Sequence, residues 1–200
     1  MRSKLVTRQK IVETSAELFL QHGFGSVSMD QVAADAKITK MTLYQHFVSK
    51  EALLLECLRW RLEKREGQLT EHFPTERSTS TQVLEVFDWM AQRTGKESFH
   101  GCAFLKATNE MGGTVPEVRA IAFEAKRVFR DRLIRMLERA EVPHAEQIGD
   151  ALSLLLEGAQ ALSLIEQSTR PFQAARREAE HLLASMRDVA STHREPSSEN

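Results

Sequence analysis

Two hundred residues, 42% of them hydrophobic, suffice for one or two small domains with a substantial core, and five prolines and nine glycines leave room for long helices. Little in the chain signals β-structure, and two cysteines exclude a disulfide framework: Cys57 and Cys102 read as small buried apolar residues. A redox or metal-ligand role for Cys102, beside His100 and Gly101, stays open, although no second Cys or His at ligand spacing accompanies it. The net charge of −1 conceals an asymmetry, because residues 1–50 hold 7 Lys/Arg against 4 Asp/Glu while residues 51–200 hold 20 against 24. The basic patch of Arg2, Lys4, Arg8, Lys10, Lys37, Lys40 and Lys50 therefore lies at the N-terminal end.

The first element is an amphipathic helix. Met1-Arg2-Ser3-Lys4-Leu5 runs into it with Arg8, Lys10 and Glu13 where a secretory signal would place an apolar stretch, and no uninterrupted apolar run reads as long enough to span a bilayer. A cytoplasmic protein is expected. Ser28 stands three residues before Gln31, the capping-box spacing, and Val32, Ala33 and Ala36 then share one face of a helix of about two turns. Lys37-Ile38 reads as a turn. Thr39 then caps a second short helix whose buried stripe is Leu43 and Phe47, leaving Lys40, Met41, Thr42, Tyr44, Gln45 and His46 on the other faces. Two short helices joined by a tight turn form a helix-turn-helix, and the polar face of the second suits a major groove. The pattern alone fits a solvated helical hairpin equally well.

Ser49 caps a long helix from Lys50 to about Leu69, with Leu54, Cys57, Leu58 and Leu62 on one face. His72 to Thr81 lacks periodicity and is rich in Ser, Thr and Pro, so it reads as a loop. Helices follow from Gln82 to about Thr94 and from roughly Cys102 to Met111, the latter ended by Gly112-Gly113. Thr114 is the expected N-cap of a helix opened by Pro116 and carried to about Ala140 by Val118, Ile121, Ala122, Ala125, Val128, Phe129, Leu133, Met136 and Leu137. From about His144 to Glu166 there are two apolar stripes, Ile148, Leu152, Leu155, Leu156 and Ala159 on one and Ala151, Leu154, Gly158, Ala161, Leu162 and Ile165 on the other. Two stripes imply burial on two sides, in the subunit's own core and against a partner, unless the helix is the central one of a monomeric bundle. The last helix adds Ala175, Ala179, Leu182, Leu183, Met186 and Val189, and residues 191–200 read as a disordered tail.

Three stretches carry a family likeness. Thr7-Arg8-Gln9-Lys10-Ile11-Val12 with Ala16-Glu17-Leu18-Phe19 and Gly23-Phe24, then Ser28 to Ala36, then Thr42-Leu43-Tyr44-Gln45-His46-Phe47 with Ser49-Lys50-Glu51-Ala52-Leu53, resemble the first four helices of the TetR family of transcriptional regulators. The likeness covers about residues 5–55 by motif and the remainder by helical layout alone. Thr39 stands where Ser is frequent and Met41 where a small residue is frequent. The resemblance implies an all-α fold of about nine helices, with an N-terminal three-helix helix-turn-helix DNA-binding domain at 1–48, a helical effector-binding and dimerisation domain at 49–190, and the tail. It also implies a regulator, most often a repressor, that binds a palindromic operator in double-stranded DNA as a homodimer and is released by a small-molecule effector. A transcriptional activator that is not released, or a helical protein-interaction module, are the alternatives.

On that reading Gln45, with Lys40, Met41 and Thr42, faces bases, since an amide bonds adenine bidentately and a methionine touches a thymine methyl. Tyr44, His46 and Lys50 suit phosphates, as do Thr7, Arg8, Ser28 and Gln31 at helix starts, with Thr39 beside them as the cap. The effector pocket draws its candidates, Trp60, Phe87, Met90, Phe99, Phe104, Phe123 and Arg127, from residues that equally suit a plain core or a charged surface. The dimer interface is expected at Ala151, Leu154, Gly158, Ala161, Leu162 and Ile165 with Leu182 and Met186 of the last helix. No catalytic, cofactor or metal site is expected: the chain has no HExxH, no Gly-rich phosphate loop, and no Ser or Cys with a recognisable base partner.

Overall fold

A computed structural model of the chain describes residues 2–74, 80–95 and 99–192, the side chains of 2–6 and 186–192 excepted. Among the described residues there are nine helices and no strand: α1 (Arg2–His22), α2 (Met29–Asp35), α3 (Lys40–His46), α4 (Lys50–His72), α5 (Ser80–Thr94), α6 (Ala103–Met111), α7 (Pro116–Arg139), α8 (Ala145–Glu166) and α9 (Arg170–Thr192). The expected all-α fold is therefore what the chain adopts.

Local chemistry sets the starts of α2, α3 and α4. Ser28 Oγ accepts from the Gln31 amide at 3.1 Å, Thr39 Oγ1 from the Thr42 amide at 3.1 Å and Ser49 Oγ from the Ala52 amide at 3.0 Å, so each supplies an acceptor to a first-turn donor that lacks a helical partner. Between α2 and α3, Lys37 takes a left-handed conformation at φ 56, while its amide bonds Ala34 O and the Ile38 amide bonds Ala33 O, both at 3.0 Å. This is the two-bond closure that normally recruits glycine, and here it fixes the turn with a lysine.

Three expectations are corrected. Thr114 does not cap α7; its hydroxyl donates to Met111 O at 3.2 Å, closing the end of α6 instead. The expected loop from His72 to Thr81 is shorter at both ends: α4 runs to His72 and α5 begins at Ser80, and Phe73, just past α4, is buried in a core where Arg132 donates to the carbonyls of Leu69 (2.9 Å) and Phe73 (2.7 Å). Long-range packing thus completes a helix end whose local sequence carries no signal, while residues 75–79 of the expected loop and 193–200 of the expected tail lie outside the described residues. Finally, α8 is long and apolar enough to cross a bilayer, with a mean hydropathy of 1.3 in its most apolar window, contrary to the expectation that no segment would be. Its two apolar stripes, one buried and one exposed, account for that composition.

The chain divides into two compact units, Met1–Gln68 with His100–Lys126, and Leu69–Phe99 with Arg127–Asn200. The first has a core of Ile11, Val12, Ala16 and Phe19 from α1, Val32 and Ala33 from α2, Leu43 from α3, Leu53, Leu54, Cys57 and Leu58 from α4, and Phe104 and Ala107 from α6. The second packs Val83, Phe87 and Met90 of α5 against Phe129, Leu133 and Leu137 of α7, Leu152 and Leu156 of α8, and Phe172, Ala179 and Leu183 of α9. In this second unit α7 and α8 approach so closely that a Cβ on Gly149 would lie 2.5 Å from Ile134 Cγ1.

Candidate DNA-binding site

α3 is anchored by one fully buried side chain, Leu43, with Phe47 buried just beyond it. Because only that stripe is needed for packing, the rest of the helix is turned outward. Met41 is 73% exposed, and Tyr44 and Gln45 are exposed, with Thr42 and His46 half-buried at the margins. Val48, immediately after the helix, is 87% exposed. An apolar residue so open beside exposed Met41 and Tyr44 extends the candidate contact face past α3, and only the structure brings it into view, since Val48 fits no polar or helical pattern in the sequence.

Several candidate contacts already have partners inside the unit. The Lys40 ammonium lies 2.8 Å from Asp30, which raises its pKa through a hydrogen bond and ties the start of α3 to α2. Arg8 bonds Glu56 at 2.7 Å and stands over the Phe47 ring at 5.1 Å, joining α1, α4 and the end of α3. Lys50 donates to Phe24 O and sits 4.2 Å from the centre of that ring, and burial lowers its pKa. Ser28 spends its hydroxyl oxygen on the Gln31 amide, both residues being exposed, and Thr7 is half-buried. The structure therefore separates a freely presented group (Met41, Tyr44, Gln45) from cations that brace the helices presenting it (Arg8, Lys40, Lys50). The side chains of Arg2 and Lys4 lie outside those described.

The other candidates fall as follows. In the first unit Trp60 is half-buried under Lys64 (4.6 Å from the ring centre), Phe104 is buried in the core, and Phe123 is 68% exposed. In the second, Phe87 and Met90 are core, Phe99 is half-buried, and Arg127 is exposed and paired with Asp131 at 3.1 Å. On α8 the stripe Ile148, Leu152, Leu156 and Ala159 is buried and Leu155 half-buried, whereas Leu154, Gly158, Ala161, Leu162 and Ile165 are exposed and Ala151 is half-buried. Leu154, Gly158 and Leu162 of the exposed stripe, with half-buried Ala151 and half-buried Leu182 of α9, line a groove of about 710 Å³; the Met186 side chain lies outside those described. Cys102 is half-exposed, not buried as expected, with Lys126 Nζ 3.4 Å from its sulfur. It precedes α6 in a non-helical segment, where helical periodicity gives no guide to burial.

A capped, outward-facing second helix whose buried stripe joins the core of α1, α2 and α4 defines a helix-turn-helix DNA-binding regulator. Two family profiles agree: one described as bacterial regulatory proteins of the tetR family matches residues 11–57, and one described as the C-terminal domain of LmrA/YxaF-like transcriptional regulators matches residues 80–178. The chain belongs to the TetR family of transcriptional regulators, not to a family of enzymes. Among curated relatives, the HTH-type transcriptional regulator SrpR of Pseudomonas putida is 32% identical over 82 residues, 41% of this chain and 38% of that one. UidR of Escherichia coli strain K12 is 44% identical over 48 residues, 24% of each chain. These matches span well under two thirds of either relative's length. Among solved structures, the TetR-family regulator SCO4454 of Streptomyces coelicolor superposes with a TM-score of 0.81 at 25% identity, covering 90% of this chain and 95% of that one.

Proposed function

We propose that the protein is a homodimeric repressor that binds a palindromic operator through α3 and is released by a small-molecule effector, with residues 1–48 as the DNA-binding domain and 49–190 as the effector-binding and dimerisation domain. The observation that carries this reading is the second stripe of α8: the helix buries one apolar face and leaves another, with Leu154 and Ile165, in the open. A soluble chain gains by covering such a face, and a two-fold partner offers an identical stripe to do so. A dimer presents two α3 helices, which reads an inverted repeat. Gln45 and Met41 then set the bases chosen, with Thr42, Tyr44 and His46 beside them. Lys40, Arg8 and Lys50 hold the register, and Thr7, Ser28, Gln31 and Thr39 flank the phosphates.

Release requires that the effector bind one arrangement of the dimer better than the other. Its candidate contacts are Trp60, Phe104 and Phe123 in the first unit and Phe87, Met90, Phe99 and Arg127 in the second, with Phe87, Met90 and Phe104 buried. A DNA-binding regulator of this kind works in the cytoplasm, and its exposed α8 stripe is assigned here to a partner subunit and not to lipid.

The test selects duplexes from a random pool with the purified protein and titrates the winners across salt concentrations. An inverted repeat bound with a steep negative salt slope supports the reading, and binding indifferent to sequence and salt overturns it. Gln45→Ala should change the bases selected at one position per half-site, at a cost of about 1–3 kcal/mol on the original operator. An unchanged selection would mean that α3 docks on another face.

A further inference from the structure

The turn that ends α1, Gly23-Phe24-Gly25, is held at three points by side chains from outside the first three helices. From α4, Lys50 donates to Phe24 O and lies over the Phe24 ring. From α6, Lys106 Nζ donates to Leu20 O at 2.8 Å, a carbonyl in the last turn of α1 that has no helical partner. Also from α6, Glu110 Oε2 accepts the Gly25 amide at 3.2 Å. Gly23 adopts φ 86, and a Cβ there would stand 3.0 Å from Glu110 Oε1, so glycine serves both the left-handed backbone and the close approach of the carboxylate.

We propose that Lys106 and Glu110 are positioning residues for DNA reading, a clasp through which α6 sets the angle at which α1 to α3 are presented. The two lie four residues apart, on one face of a single nine-residue helix, so they move as one rigid piece. They grip the chain on either side of Phe24, the point that Lys50 holds from α4. A shift of α6 therefore turns the segment about Phe24 and carries α2 and α3 with it. A void of about 20 Å³, bordered by Phe19, Phe24, Leu54, Arg61, Lys106 and Glu110, gives that movement some slack at the junction of α1, α4 and α6. Ordinary surface lysines and glutamates bond water or each other. These two instead bond the main chain 86 and 85 residues away, which fixes position in a way that a side-chain ion pair does not.

The proposal rests on the two-headed reading of the operator given above, and its test is arranged so that the two fail separately. Lys106→Met and Glu110→Gln are compared with the conservative Lys106→Arg on the full duplex selected by the wild type and on a duplex carrying one half-site, with circular dichroism and thermal melting as controls for folding. A positioning role predicts a loss of about tenfold on the full operator, little change on the half-site, and recovery in Lys106→Arg. Unchanged affinity on the full operator overturns the clasp, and so does an equal loss on both duplexes, which would mark ordinary phosphate contacts or damaged folding. If the wild type itself binds half-site and full operator equally, the two-headed reading falls, and hydrogen exchange then decides the clasp. Faster exchange at residues 20–25 in both variants, with α2 and α3 still protected, upholds it, and unchanged exchange at 20–25 overturns it.

Discussion

Two thiols in one chain meet opposite surroundings. Cys57 is 2% exposed, its thiol donates to Val12 O at 3.4 Å, and burial pushes its pKa far up, so the nucleophilic thiolate is suppressed. Cys102 is half-exposed, with the Lys126 ammonium 3.4 Å from its sulfur, so reagent can reach it in the folded protein. Iodoacetamide at about pH 8 should therefore alkylate native protein once, at Cys102, and reach Cys57 only on denaturation, as read by intact mass and peptide mapping. Comparable labelling of both cysteines in the folded protein would contradict this assignment. Legibility at this scale follows regular structure. Cys57 shares a helical stripe with Leu54 and Leu58 and could be read as buried, whereas Cys102 sits outside any periodic segment. The cations show a second limit, since nothing local to Arg8 or Lys50 announces Glu56 or Phe24 as its partner.

Elements were legible where their ends are closed by near neighbours. The caps Ser28, Thr39 and Ser49 act on amides three residues ahead, a spacing visible in the chain, but the end of α4 depends on Arg132, about sixty residues further on. Another long-range tie joins α7 to α8: Arg130 bonds Asp150 and, at 3.2 Å, Glu146. The hydrogen bond from Arg130 holds the Asp150 carboxyl below its ordinary 3.8. A carboxyl whose folded pKa is depressed gives stability that is fully present above its unfolded value and is lost as pH falls through the folded one. Wild type should then lose melting temperature on acidification below that ordinary value more steeply than Arg130→Met, and high salt should narrow the difference because both side chains are open to solvent. Parallel melting curves for the two proteins across that acid range would show that the pair contributes nothing to the α7–α8 contact.

At the scale of the whole molecule, the face of α8 that a side chain occupies decides what it stabilises. Leu152 and Leu156 are fully buried, and cutting either to Ala should cost about 2–5 kcal/mol as a cavity opens in the second unit. Leu154 and Ile165 are 74% and 77% exposed, so the isolated subunit gains little from them. The proposed dimer gives them their role, and the double substitution Leu154→Glu with Ile165→Glu tests it cleanly. The folded subunit should survive with an almost unchanged melting temperature, because neither side chain belongs to a core. Its sedimentation should shift from dimer to monomer, because charges facing one another across a two-fold axis repel and lose hydration. Operator affinity should fall by about a hundredfold or more, since tethering two reading helices is what turns two weak contacts into a tight one. Loss of folding would place the outer stripe in the subunit's own core, as the central helix of a monomeric bundle. A variant still dimeric would move the interface elsewhere on the molecule, and a monomer that held the operator as tightly as wild type would remove the need for two heads.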